Sequence, residues 1–294
     1  MLDNTKQIDV PSIQWFPGHM AKTRRLISEN IKLVDLVLEI TDARIPMSSR
    51  NPELDVWISS KPRIIMLNKA DNADSNMTKK WLSYYKSKGI PAIACDCKSG
   101  NGTAQFMPLL REVLAELLDR REQKGMAGRM TRIMVVGIPN VGKSSFINRM
   151  ATTKKTKVED RPGVTVRKQW VSLTKDIELL DMPGVLWPKF EDKLVGERLA
   201  FTGAVKDDVL DIELLAARLV AYLAESYADR LIARYKIEID NSLSGYELLE
   251  AIGRKRGMLI SGGEVNLERA AIMLVDEYRS GKLGKITFEA PPTE

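Results

Sequence analysis

The sequence predicts an α/β domain, a mostly parallel sheet with helices on both faces, followed by a small all-helical C-terminal domain. Three observations carry this expectation. Short apolar runs alternate with helix-period segments over the first 181 residues, the rhythm of parallel strands joined by crossover helices. One such run passes straight into a glycine-rich loop and a further helix, an arrangement that cradles phosphate at a strand end. Beyond Asp181 the remaining periodic segments are all helical.

Lys22 to Lys32 carries apolar residues at helical spacing, and Val34 to Ile40 is an apolar run of strand length. Pro62 and Arg63 introduce a second run, Ile64 to Leu67, closed by Asn68. A helical pattern through Trp81 to Lys86 stops at Gly89, and Ile90 to Cys95 is a third strand. Leu109 to Leu118 sets Leu110, Val113, Leu114 and Leu117 on one side of a helix. A charged stretch then ends in Gly125 to Gly128 and leads to the strand Ile133 to Val136. Ser145 to Met150 is the helix behind the glycine-rich loop, and Ile177 to Leu180 is the last predicted strand. Asp211 to Arg234, Gly245 to Ile252 and Asn266 to Ser280 form the helical remainder, which places the domains at 1–204 and 205–294.

At 294 residues with 44% hydrophobic and 29% charged, the chain is long enough for two cored domains, and a folded rather than disordered chain is expected. The net charge of +6 is unevenly shared: residues 205–294 hold 12 basic and 16 acidic side chains, leaving +10 on the first 204. That excess suits a polyanionic partner. Arg254, Lys255 and Arg256, between Gly253 and Gly257, form a local basic turn that is either a phosphate contact or a solvated helix end. Two cysteines, Cys95 and Cys97, and one histidine, His19, are too few for a disulfide framework or a four-ligand zinc site. The N-terminus has neither the pattern of a signal peptide nor that of a transit sequence, and no apolar stretch approaches bilayer length. A cytoplasmic setting is expected.

Gly137-Ile138-Pro139-Asn140-Val141-Gly142-Lys143-Ser144 fits G-x-x-x-x-G-K-[ST] between a strand and a helix. Its main-chain N–H groups, from Asn140 through Ser145, and Lys143 are expected to hold the phosphates of a nucleoside triphosphate, with Ser144 on Mg2+. Asn68-Lys69-Ala70-Asp71 at a strand end selects the base. The Asp71 carboxylate can accept from N1–H and the 2-amino group of guanine, whereas adenine offers an acceptor there. Asn68 can hold N7 and tie loops together, and the Lys69 stem can lie along the base. Asp181-Met182-Pro183-Gly184 begins 38 residues after Lys143; there Asp181 can reach the Mg2+ shell and the Gly184 N–H the γ-phosphate. Thr165, after Arg161-Pro162-Gly163-Val164, offers a second hydroxyl for Mg2+.

The order of these motifs is unusual for a GTPase, because N-K-x-D precedes the phosphate loop by more than 60 residues. The chain therefore resembles a circularly permuted GTPase, and permutation leaves the spatial site intact when domain termini lie close together. It also makes the D-x-x-G segment lead directly into the helical tail. Nucleotide state is accordingly expected to reach the tail through residues 182–204.

Trp15-Phe16-Pro17-Gly18-His19-Met20, Asp42-Ala43-Arg44-Ile45-Pro46, Ser49-Arg50-Asn51-Pro52 and Leu186-Trp187-Pro188-Lys189-Phe190 narrow the resemblance to the ribosome biogenesis GTPase A family. It spans nearly the whole chain after about residue 12, including Gly253 to Gly257. The resemblance implies a GTP-binding, GTP-hydrolysing factor that assembles the large ribosomal subunit. It would bind a precursor particle and its rRNA in the GTP state, hydrolyse faster when docked there, and leave after hydrolysis, with the helical domain contacting RNA or ribosome. DNA is not an expected partner.

The fifth guanine motif departs from the usual Ser-Ala pattern: Cys95-Asp96-Cys97-Lys98 stands in its place, with Asp96 and Cys97 expected to approach the base through backbone groups. Where many GTPases place a Gln after D-x-x-G, this chain has Val185, which cannot polarise water. In the family that substitution goes with an N-terminal histidine, making His19 the candidate to orient the attacking water, beside Lys143 and Thr165 as catalytic residues; capping or packing is the other role open to His19. Asn140 matches a position that seats K+ in related GTPases, and is otherwise a loop residue holding its own backbone. Two further functions stay open: an RNA-binding module in which hydrolysis is incidental, and a P-loop kinase, against which the guanine motif argues.

Overall fold

The computed structural model describes residues 25–58, 61–126, 128–151, 169–187, 192–240 and 242–293. They divide into two compact units, one built from residues within 14–188 together with 287–294, the other from residues within 189–286.

The first unit is a six-stranded sheet. Its strands are β1 (Leu36–Asp42), β2 (Arg63–Asn68), β3 (Ala92–Ala94), β4 (Thr131–Val136), β5 (Gln169–Thr174) and β6 (Ile177–Asp181), in the order β3-β2-β1-β4-β6-β5. All neighbours pair in parallel except β5 with β6. This is the mostly parallel P-loop GTPase sheet expected, with the motif-bearing strands interleaved out of chain order. β1 is buried at all seven positions, so both of its faces are covered, as a continuous apolar strand requires. One core joins Ile27 and Ile31 to Val37, Leu54, Met134, Val136, Leu180 and Met182. Another joins Ile65 and Leu67 to Trp81 and Tyr85 of α2 (Ser75–Ser87), whose start is capped by Asp74 accepting from the Met77 N–H.

The structure differs from the sequence expectations at several elements. The predicted Leu109–Leu118 helix is two, α3 (Phe106–Val113) and α4 (Ala115–Gln123), broken at Leu114. The short helix α1 (Glu53–Trp57) and strand β5 were not predicted. Five residues are too few to display a helical period, and β5 buries only Val171 and Leu173.

The second unit is helical: α6 (Lys193–Phe201), α7 (Ile212–Ser226), α8 (Ala228–Tyr235), α9 (Gly245–Lys255) and α10 (Leu267–Arg279). The single helix predicted through Arg234 breaks at Tyr227, which has φ −144°. Aspartate, serine and asparagine caps at Asp192, Asp211, Ser244 and Asn266 start four of these helices. The division between units falls at 188/189, before the 204/205 boundary placed from sequence, because α6 packs against α7. The final residues also fall outside the helical unit. Phe288 N–H donates to Arg44 O at 2.8 Å, Asp74 N–H to Thr287 Oγ1 at 2.9 Å and Trp81 Nε1 to Glu289 O at 2.9 Å. No helix among the described residues is long and apolar enough to cross a membrane.

Candidate nucleotide-binding and hydrolytic site

Parallel pairing brings the carboxyl ends of five strands to one edge of the sheet. Asp42 is in register with Asn68, Leu67 with Ala94, and Val135 with Asp181. The segments 68–71, 95–98, 137–144 and 181–185, scattered over the chain, therefore share the crevice where open α/β sheets bind ligands.

At the phosphate loop, Gly142 adopts φ +101° and stands immediately before α5 (Lys143–Met150). Val141 and Lys143 are buried, Ser144 is half-buried, and Asn140 and Ser145 are exposed, Asn140 with φ +58°. The Lys143 ammonium donates to Gly137 O at 3.1 Å and Ile138 O at 2.9 Å. Burial pulls its pKa down to about 8, against the opposing pull of the Asp181 carboxylate. Gly184 lies so close that a Cβ there would be 2.8 Å from the Pro139 backbone and 2.9 Å from Lys143 Nζ. The Val185 N–H reaches Gly137 O at 3.4 Å.

The base-recognition segment is tied to this loop by Asn68. Its Nδ2 donates to Val141 O at 2.7 Å, and its Oδ1 accepts from Cys97 N–H at 2.9 Å. The Asp71 Oδ2 accepts from Ser99 Oγ at 2.7 Å and Asn101 Nδ2 at 2.8 Å, which orients the carboxylate. Lys69 has φ +61° and pairs with buried Asp42 at 3.0 Å. Burial would raise the Asp42 pKa, but the charges of Arg44 and Lys69 outweigh it and hold the carboxyl well below its usual range. The Ala70 N–H donates to Cys95 O at 3.0 Å.

Asp96 accepts at Oδ1 from Lys98 N–H at 2.8 Å and Ser99 N–H at 2.7 Å, and its own N–H donates to Asn101 O. The backbone N–H groups of Asp96 and Cys97, the two residues expected to approach the base through backbone groups, both have protein partners in this structure. Arg149 on α5 donates to Cys97 O at 2.7 Å and also to Lys98 O. Cys95 and Cys97 are buried thiols with sulfurs 3.8 Å apart. The hydrogen bond shared with Cys97, followed by burial, pushes the Cys95 thiol pKa up. No cluster among the described residues could hold a metal through His, Cys, Asp and Glu alone.

Ser99, Asn101, Arg149 and Asp42 were missed as parts of the site. Only the Asp42-Ala43-Arg44 segment had been singled out, as part of a family pattern without a role. The Asp42–Arg44 pair is buried, with Arg44 Nε and Nη2 donating to the two carboxylate oxygens at 2.9 Å and 2.8 Å. His19 and Thr165 lie outside the described residues. Ser144, Asp181 and Gly184 all stand at the carboxyl edge. The basic turn is largely occupied: Arg254 pairs with Glu250 at 2.8 Å, and Arg256 lies over the Tyr235 ring.

Residues 132–242 match the family described as 50S ribosome-binding GTPase. Ribosome biogenesis GTPase A of Bacillus licheniformis is 48% identical over 280 residues, covering 95% of this chain and 98% of that protein. A GDP-bound structure of Thermotoga maritima YlqF matches with a TM-score of 0.66 at 29% identity, covering 91% of this chain and 99% of its own. The GNP-bound form of that protein gives 0.64 at 29%, covering 93% and 100%.

Proposed function

This chain belongs to the ribosome biogenesis GTPase A family of circularly permuted GTPases, and from that premise we propose that its GTP state docks on a precursor of the large ribosomal subunit and hydrolysis releases it. It is a GTPase acting in ribosome biogenesis. The observation that best supports a nucleotide switch is the Asn68 bridge, which joins base-recognition and phosphate-binding loops through one side chain.

In the proposed cycle Asp71 reads guanine, and Lys143 exchanges the carbonyls of Gly137 and Ile138 for phosphate oxygens. The exchange frees Gly184, whose N–H then meets the γ-phosphate. Ser144 and Asp181, oxygen donors at the same sheet edge, fit a hard divalent cation; with Thr165 they would hold Mg2+, which neutralises charge on the β- and γ-phosphates. Val185 is apolar, so His19 is assigned to orient the attacking water as a neutral acceptor. Asn140 would help seat a K+ ion, which would supply there the positive charge an arginine finger supplies elsewhere. Because the helical tail is acidic and Arg254 and Arg256 already have partners, the basic GTPase part is assigned to rRNA, in the cytoplasm.

Sedimentation of cell extract with a non-hydrolysable GTP analogue tests the reading. The protein should travel with large-subunit particles and leave them when GDP is supplied. Its absence from every ribosomal fraction would overturn the proposal.

A further inference from the structure

Asn51 belongs to a sequence segment that nothing above has given a role. Its side chain is 2% exposed, and Oδ1 accepts from the Glu53 N–H at 3.0 Å at the start of α1. That bond fixes which way the amide faces. The other end, Nδ2, is buried and has no hydrogen-bond partner among the described residues, where nearly every buried donor is satisfied.

The amide is held by a rigid frame. Ser49 Oγ accepts from the Asp42 N–H at 2.9 Å and donates to Ile45 O at 2.7 Å. Arg50 pairs with Glu39 at 3.2 Å and Asp55 at 2.7 Å. The Asn51 carbonyl accepts from the Leu54 N–H at 3.0 Å. A side chain locked by neighbours on both sides cannot easily turn to another partner, so its direction carries information.

Asn51 lines a cavity of about 10 Å3 whose other walls are Ile27, Leu54, Val136, Gly137, Pro183 and Val185. The space is at the lower limit for a single water, and a buried water needs two or more polar partners. The walls are mostly apolar, and the Gly137 carbonyl already accepts from Lys143 Nζ and the Val185 N–H. The cavity thus has no room for a ligand and little to hold water. It is bounded by the two segments, 137 and 183–185, that must respond to a γ-phosphate.

We propose that Asn51 is a positioning residue for GTP hydrolysis: its Nδ2 donates to a main-chain carbonyl of the 183–185 segment when GTP draws that segment inward, fixing where Val185 sits. Gly184 packs against the Lys143 ammonium, which must leave for the phosphates, and the Val185 N–H reaches Gly137 O over a long 3.4 Å bond. The 183–185 segment is therefore released as Lys143 moves, and Asn51 is the unpaired donor waiting beside it. GDP, lacking the γ-phosphate, does not draw the contact.

Asn51→Ser tests this, since a serine hydroxyl can still accept from Glu53 N–H but removes the amide Nδ2, and its own O–H is too short to reach where that amide donates. Binding of GDP and of a non-hydrolysable GTP analogue, the thermal midpoint of the apo protein and single-turnover hydrolysis are measured on the full chain. The expected result is a rate at least tenfold lower and a several-fold loss of analogue affinity, with GDP affinity and midpoint unchanged. Should Asn51→Ser fail to fold, Asn51→Asp keeps the acceptor for Glu53 and carries the same measurement. Hydrolysis and analogue binding within twofold of wild type, or a parallel fall in GDP affinity and midpoint, would overturn the proposal.

Discussion

A Cβ atom on Gly142 would stand 2.1 Å from the Asn68 amide nitrogen. The glycine-rich loop and the Asn68-Lys69-Ala70-Asp71 segment are thus in contact at these two residues, at a position where φ is +101° and side chains are disfavoured. Gly142→Ala is expected to break the Asn68–Val141 bond and weaken GTP and GDP alike. Asn68→Ala removes the same bridge without backbone strain and should cost about 1–3 kcal/mol of stability, from the buried groups left unpaired. Thermal unfolding and nucleotide titration of both variants provide the check; retention of wild-type affinity by Gly142→Ala would remove the bridge from the binding mechanism.

Lys143 predicts a proton linkage. Its pKa is about 8 in the folded chain and 10.5 in its ordinary state, so the unfolded chain holds more protons between those values. From this group alone, stability rises as pH climbs from about 8 to 10.5, and the cost of burying the charge is fully present below 8. Phosphate oxygens restore the charged form, so nucleotide binding at pH 9 takes up a proton and affinity falls as pH rises through 8. Calorimetry in buffers of different ionisation enthalpy measures the uptake, which Lys143→Met should abolish.

Asp71 is oriented by Ser99 and Asn101, so the guanine selection proposed for it would depend on residues beyond the carboxylate. Asp71→Asn should shift preference from GTP to a xanthosine triphosphate, because the new amide donates where the carboxylate accepted. Asn101→Ala should weaken GTP and GDP equally, by about 1 kcal/mol for one lost bond. Competition binding decides both, and an Asn101→Ala variant that discriminates between the two nucleotides would contradict the assignment.

Glu289 ties the end of the chain to the segment that follows β1. Its carboxylate accepts from Met47 N–H at 2.6 Å, Ser48 N–H at 3.1 Å and Ser48 Oγ. Glu289→Ala leaves those donors without their acceptor and should lower stability by about 1–3 kcal/mol. Because the Trp81 indole donates to the Glu289 main chain, removal of residues 287–294 should also change tryptophan emission. Thermal unfolding with fluorescence detection reads both effects.

Much of the fold was legible because each of the parallel strands is a short apolar run with a turn signal behind it. What escaped had weak local signals. Leu114 and Tyr227 break helices in which the apolar period continues across the break, so the sequence reads as one helix at each place. Strand β5 sits at a sheet edge and buries only two residues. Ser99 and Asn101 were invisible as site residues because polar side chains in a loop announce no partner 28 and 30 residues away.

By itself, the sequence determined the nucleotide class and the family, since the contiguous 68–71 and 137–144 motifs have residue types suited to guanine and to phosphate. Tertiary structure decided what those segments touch. Parallel pairing brought Asn68, Gly142 and Asp181 to one edge regardless of chain order, the last residues returned to cap the loop after β1, and Asn51 was left with a buried, unpaired donor at a cavity that Pro183 and Val185 also line. Such relationships depend on distances between residues far apart in the chain, and local pattern carries no measure of those distances.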